Sequence, residues 1–219
     1  MPSVLLAAFL PGIFWIWYFH RQDRFDREPL FALVKVFVLG ALAVIPAIAL
    51  EYPFRSFLQG DPGTLSALWL SFGVVGLGEE SLKLLAVYVG VYRSQAFDEP
   101  LDGIVYAVTG GVGFSVVENV LYISAFGLEV APLRAVVASL AHASFSGISG
   151  YYLGRAKFSD HAFREASVGL LWAALLHGIY DFILITQLVS PLSVVILVGV
   201  LHYVLLRLMG IQLRQSPFR

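Results

Sequence analysis

The chain has 219 residues, 58% of them hydrophobic and only 13% charged, with a formal net charge of −1 and a mean hydropathy of +0.81. Soluble domains are about 45–50% apolar and about 25% charged, so this composition points away from a soluble all-α protein and towards an integral membrane protein. The absence of cysteine excludes a disulfide framework, a thiolate metal site and a cysteine nucleophile, and the near-neutral charge argues for the lipid bilayer, not nucleic acid, as partner.

In chain order the apolar runs predict an all-α, polytopic membrane protein of about seven spanning helices. Met1 to Tyr18 is followed by His20, Arg21, Arg24 and Arg27. It lacks a basic leading segment and a small-residue cleavage site, so it reads as a first span, not a removable signal. Leu30 to Leu50 is the second span, with Lys35 near its loop end, where it can snorkel. Glu51 to Gly63 reads as a linker broken by Pro53, Pro62 and Gly63. The third span is Thr64 to Val91 and the fourth Asp102 to Phe126, separated by a polar stretch ending Asp98-Glu99-Pro100. The fifth runs from Arg134 to Gly154, the sixth from Ala166 to Leu188 and the seventh from Leu192 to Met209. The whole of residues 1–219 forms one membrane domain, with 64–188 as a catalytic core and 1–51 and 192–209 as flanking anchors.

Alternating the loops across the membrane puts ten basic residues on one side and only Arg55 and Arg134 on the other, with Lys35 and Lys83 inside spans. The positive-inside rule then expects the N-terminus outside and the C-terminus in the cytoplasm.

Ionisable groups at bilayer depth are costly and mark functional sites by default. Gly78-Glu79-Glu80-Ser81-Leu82-Lys83 sits inside the third span, with Lys83 one turn beyond both acids. That spacing lets the lysine neutralise one carboxylate and leave the other free. In the fourth span Ser115, Glu118, Asn119 and Tyr122 share a helical face. In the fifth, Ser139, His142, Ser146 and Ser149 do so, continued by a small-residue edge through Gly150 and Gly154. His177 and Asp181 make an i, i+4 pair in the sixth. At about 1.5 Å of rise per residue these groups overlap in depth from the middle of the membrane into its outer half, so one cavity can hold them. Each also has a bland reading: an ion pair, an interhelical clamp, a satisfied core histidine. His202 reads as structural, and His20 and His161 as solvated loop residues.

Glu79-Glu80-x-x-Lys83, Phe114-x-x-x-Glu118-Asn119, the isolated His142 and His177-x-x-x-Asp181 resemble, in order and spacing, the motifs of the PrsW family of intramembrane proteases. Arg24-Phe25-Asp26-Arg27-Glu28-Pro29 and Asp98-Glu99-Pro100-x-Asp102-Gly103 are similar to its flanking segments. The wider group of CAAX prenyl endopeptidases and bacteriocin-processing relatives differs at Glu118, Asp181 and Lys83. The resemblance implies hydrolysis of a peptide bond of a membrane-anchored protein in a bacterial cytoplasmic membrane, and by association site-1 cleavage of an anti-sigma factor. Glu79, Glu80, Lys83, Glu118, His142, His177 and Asp181 are the candidate catalytic residues.

Two chemical routes stand open. In one, Glu79 is a general base, Lys83 pairs mainly with Glu80, and His177 and Asp181 orient water or bind the oxyanion. In the other, Glu118, His142, His177 and Asp181 ligate a Zn²⁺-like ion and Glu79 activates water beside it. No His-Glu-x-x-His or Gly-x-Ser-x-Gly signature is present. A proton- or ion-coupled transporter is the alternative class, because buried acids and histidines also relay protons. The substrate's identity and the oligomeric state stay open.

Overall fold

A computed structural model describes residues 1–58 and 63–219. Among these residues every regular element is helical. They assemble into α1 (Pro2–His20), α2 (Leu30–Phe54), α3 (residues 64–92), α4 (Pro100–Phe126), α5 (residues 131–157), α6 (Ala162–Thr186) and α7 (Leu192–Gln215). Of these, α1, α2, α4, α6 and α7 are long and apolar enough to cross a membrane. The other two carry the polar clusters: α3 holds Glu79, Glu80 and Lys83, and α5 is rich in serine, glycine and histidine.

Leu6, Phe14, Phe31, Leu171 and Ile196 are exposed large hydrophobics on α1, α2, α6 and α7. Water does not tolerate so much apolar surface, whereas lipid does. The chain is an integral membrane protein.

Several boundaries differ from the sequence expectation. The segment from Glu51 stays helical to Leu58, because Pro53 falls in the first turn of a 3₁₀ segment, where its missing N–H breaks no bond. Pro62 lies outside the described residues. Helix α4 begins at Pro100, two residues early, because the Asp102 carboxylate reaches back to accept the backbone N–H groups of Asp98 (2.7 Å) and Glu99 (2.8 Å). Helix α6 ends at Gln187 in a left-handed conformation (φ 50°).

Helix α4 is the axis of the molecule, buried from Leu101 through Val116. It meets α5 at backbone contact: a Cβ on Gly150 would overlap the Gly103 carbonyl, and one on Gly154 the Pro100 carbonyl. Helices α3 and α5 each contain π-helical turns, Trp69–Gly76 ahead of Glu79 and Arg134–Ala138 ahead of His142. Such turns shift the helical phase and recur at functional sites.

At the end of the bundle formed by the α1–α2 and α3–α4 loops, Asp23, Glu28, Glu99 and Asp102 are buried. The Tyr106 hydroxyl contacts both the Glu28 carboxyl and the Ala96 carbonyl (2.8 Å to the latter). Burial, reinforced by the neighbouring Asp102, pushes Glu28 up to about 10. The flanking motifs thus fasten these loops to the N-terminus of α4.

Candidate active site

The opposite end of the bundle holds the intramembrane polar groups. Helix α3 presents Glu79, Glu80 and Lys83, all buried. The Lys83 ammonium donates to Glu79 Oε2 at 2.9 Å and to Glu80 Oε1 at 2.8 Å, and lies 2.9 Å from His142 Nδ1. The Phe114 ring covers it at 4.2 Å. Lys83 therefore does not spare one acid, as the spacing suggested; three donors reach three acceptors, and both carboxylates are held.

Each histidine has a carboxylate on one nitrogen and the centre of the site on the other. His177 Nδ1 lies 2.9 Å from Glu80 Oε1, while its Nε2 lies 3.3 Å from Asp181 Oδ2 and 3.8 Å from Glu79 Oε2. His142 Nε2 lies 2.8 Å from Glu118 Oε2. The two rings sit edge to face with centroids 5.3 Å apart, and Phe145 stacks on His177 at 4.9 Å. Ligand atoms of Glu79, His142 and His177 lie within 4.8 Å of one another, the one such group of three among the described residues.

These groups line a cavity of about 200 Å³ together with Glu51, Tyr122, Arg134 and Asp181. Its walls come from the middle of α3, the C-terminal parts of α2, α4 and α6 and the N-terminal part of α5. All seven residues singled out in the sequence gather around this one centre. Tyr122 is the stripe residue one turn beyond Glu118. Two neighbours carry no motif: Glu51 reads in the sequence as linker and Arg134 as a loop-end charge. Only the packing of α2 and α5 against α4 brings them in. Ser149 does not line the cavity, and its hydroxyl donates to the Ser146 carbonyl of its own helix.

The donor set fits a divalent ion. Two imidazoles and a carboxylate are the ligands of a catalytic zinc site with an open position. Asp181 Oδ2 is buried beside them without a hydrogen-bond partner and is left to accept from a water in the cavity. Of the four ligands expected from sequence, His142 and His177 belong to the converging group, whereas Glu118 bonds the far nitrogen of His142 and Asp181 flanks His177.

Residues 28–208 match the family described as PrsW family intramembrane metalloprotease. The chain belongs to the PrsW family. Its relatives include proteins named Protease PrsW from Bacillus subtilis (strain 168), 37% identical over 84% of this chain and 84% of that one, and from Geobacillus kaustophilus (strain HTA426), 36% identical over 85% and 82%. A third, from Oceanobacillus iheyensis, is 35% identical over 92% of this chain and 94% of its own. No solved structure matches the chain. A PrsW-family chain of this coverage is an intramembrane protease.

Proposed function

We propose that the protein cleaves a membrane-anchored protein near the non-cytoplasmic surface, in a metal-assisted reaction centred on Glu79, His142 and His177. The observation that carries this reading is the convergence of those three side chains within 4.8 Å at the cavity wall. A divalent ion held there would supply Lewis-acid polarisation of the scissile carbonyl and of the attacking water. The chain's own groups do the rest. Glu80 accepts the Nδ1 proton of His177 and leaves its Nε2 lone pair free; Glu118 accepts the Nε2 proton of His142, whose bare Nδ1 meets Lys83 until an ion takes the place of the ammonium. Lys83 balances the charge of the adjacent carboxylates. Asp181, whose Oδ2 is unpartnered, is the acceptor for a proton of the water. With the expected orientation of the termini the cavity opens outward, which suits a first cut on the outer side of a single-span substrate, a membrane-anchored anti-sigma factor being the candidate.

Lys83 supports a second, metal-free route, because its ammonium already bonds Glu79 and His142 and Glu79 could then act as a base. One experiment separates the two. The full-length protein in proteoliposomes is given a single-span reporter, and cleavage and bound zinc are both measured. Glu79→Gln should lower turnover at least about 100-fold on either route. In the metal-assisted reading it also loses zinc, and strong chelators inactivate the wild type until Zn²⁺ is returned. Asp181→Asn should lose cleavage and keep zinc. Chelator-resistant turnover without stoichiometric metal would leave the metal-free route standing.

A further inference from the structure

Arg134 belongs to no motif and reads in the sequence as one of two basic residues on the sparse side of the membrane. In the structure its guanidinium is folded inward, with the side chain only 17% exposed. Its Nε donates to Asn119 Oδ1 at 2.8 Å and its Nη2 to Glu118 Oε2 at 3.2 Å, while the plane lies 3.8 Å from the Tyr122 ring centroid. Asn119 donates in turn to Ser139 Oγ (3.0 Å), and Ser139 to the Arg134 carbonyl (3.2 Å), closing a ring between α4 and α5. The π turn Arg134–Ala138 occupies this same stretch.

The Glu118 oxygen that Arg134 holds is the one that faces His142 Nε2 at 2.8 Å. A carboxylate at that distance requires a protonated Nε2, and the ammonium of Lys83 at Nδ1 requires an unprotonated one. The ring is therefore held in a single tautomer from both sides. Glu118 lies on the cavity wall with 19% of its side chain exposed, and without a second bond it is free to turn away from the ring. Arginine's planar fork meets both Glu118 and Asn119 at once, which a lysine cannot reproduce.

We propose that Arg134 is a positioning residue for His142, acting through Glu118 to keep Nε2 protonated and Nδ1 bare, an acceptor for Lys83 and, once the ammonium moves aside, a ligand atom. This rests on the metal-assisted reading only in its last clause, and the test separates the two. The full chain, labelled with ¹⁵N-histidine and free of metal in nanodiscs, gives ring-nitrogen signals for its five histidines, with His142→Gln identifying those of His142. The wild type should show one tautomer, bare at Nδ1. Arg134→Gln should give a mixture of tautomers and weaken Co²⁺ binding about 10–100-fold, with Arg134→Lys in between. A folded Arg134→Gln variant with the native His142 signals and unchanged Co²⁺ affinity overturns the assignment and leaves Arg134 as an interhelical clamp. So does a wild-type His142 protonated at Nδ1, a result that needs no variant to fold. Wild-type protein that takes up no Co²⁺ ends the metal reading, and the metal-free spectrum still decides the role of Arg134.

Discussion

Lys83 shows how much depends on where a single charge is placed. Buried at 1% exposure between two acids and an imidazole, it gives both Glu79 and Glu80 a charged partner within hydrocarbon. Glu80 is more than a counter-ion, because the oxygen that accepts from Lys83 also meets His177 Nδ1. Glu80→Gln should thus do two things: release His177 and leave Lys83 under-compensated. The expected cost is about 3 kcal/mol of stability, read from unfolding in detergent, together with lost turnover. A variant as stable as wild type would show that Glu79 alone suffices for Lys83.

Among elements, α4 and α5 carry the strictest demand. Their axes approach until only glycine fits at 103, 150 and 154, and that approach sets His142 against Glu118 and Phe114. Gly150→Ala introduces a methyl group where the Gly103 carbonyl stands. It should cost about 1–3 kcal/mol by overpacking and lower turnover by parting the two helices, whereas Gly199→Ala, which meets nothing within 4 Å, should change neither. Thermal unfolding and reporter cleavage of the pair check this. Helix α3 makes a related demand: a Cβ on Gly76 would lie 2.7 Å from the Ala174 carbonyl, so the π turn before Glu79 is seated directly on α6.

At the scale of the whole molecule, the charge asymmetry is sharper than the loop count suggests. Arg134 is bonded inside the bundle, which leaves Arg55 as the single basic residue in the sparse loops. Because the chain has no cysteine, single reporters are clean. In oriented vesicles Glu129→Cys should react with an impermeant thiol reagent from outside and Asp160→Cys only from the cytoplasmic side; the reverse pattern would invert the proposed orientation. The loop end far from the cavity should also respond to pH. The fold raises Glu28 to about 10 and, through burial, Glu99 to about 7, so both favour the protonated form. The stability they contribute is complete below the ordinary carboxyl value of about 4.5 and is lost as pH climbs through about 7 and on towards 10. The Tyr106 hydroxyl agrees, since its one proton can serve the Ala96 carbonyl only if Glu28 donates in turn. Melting temperature should fall from about pH 5 to about pH 9, and Glu28→Gln should flatten the slope.

The sequence by itself determined that this is a helical membrane protein and which ionisable residues stand inside its apolar helices. Apolar runs of spanning length and a polar stripe at helical spacing are local, and in a chain so poor in charge a buried Glu, His or Asp stands out unaided. The order of motifs then named the family. Local pattern could not say that α2 continues past Glu51, that π turns shift the phase of α3 and α5, or that Glu79 converges with the histidines while Glu118 and Asp181 flank them. Nor could it show Arg134 turned inward. Those follow from which helix faces meet, and that is set by glycines on separate helices allowing backbones to touch, a property of pairs of segments far apart in the chain.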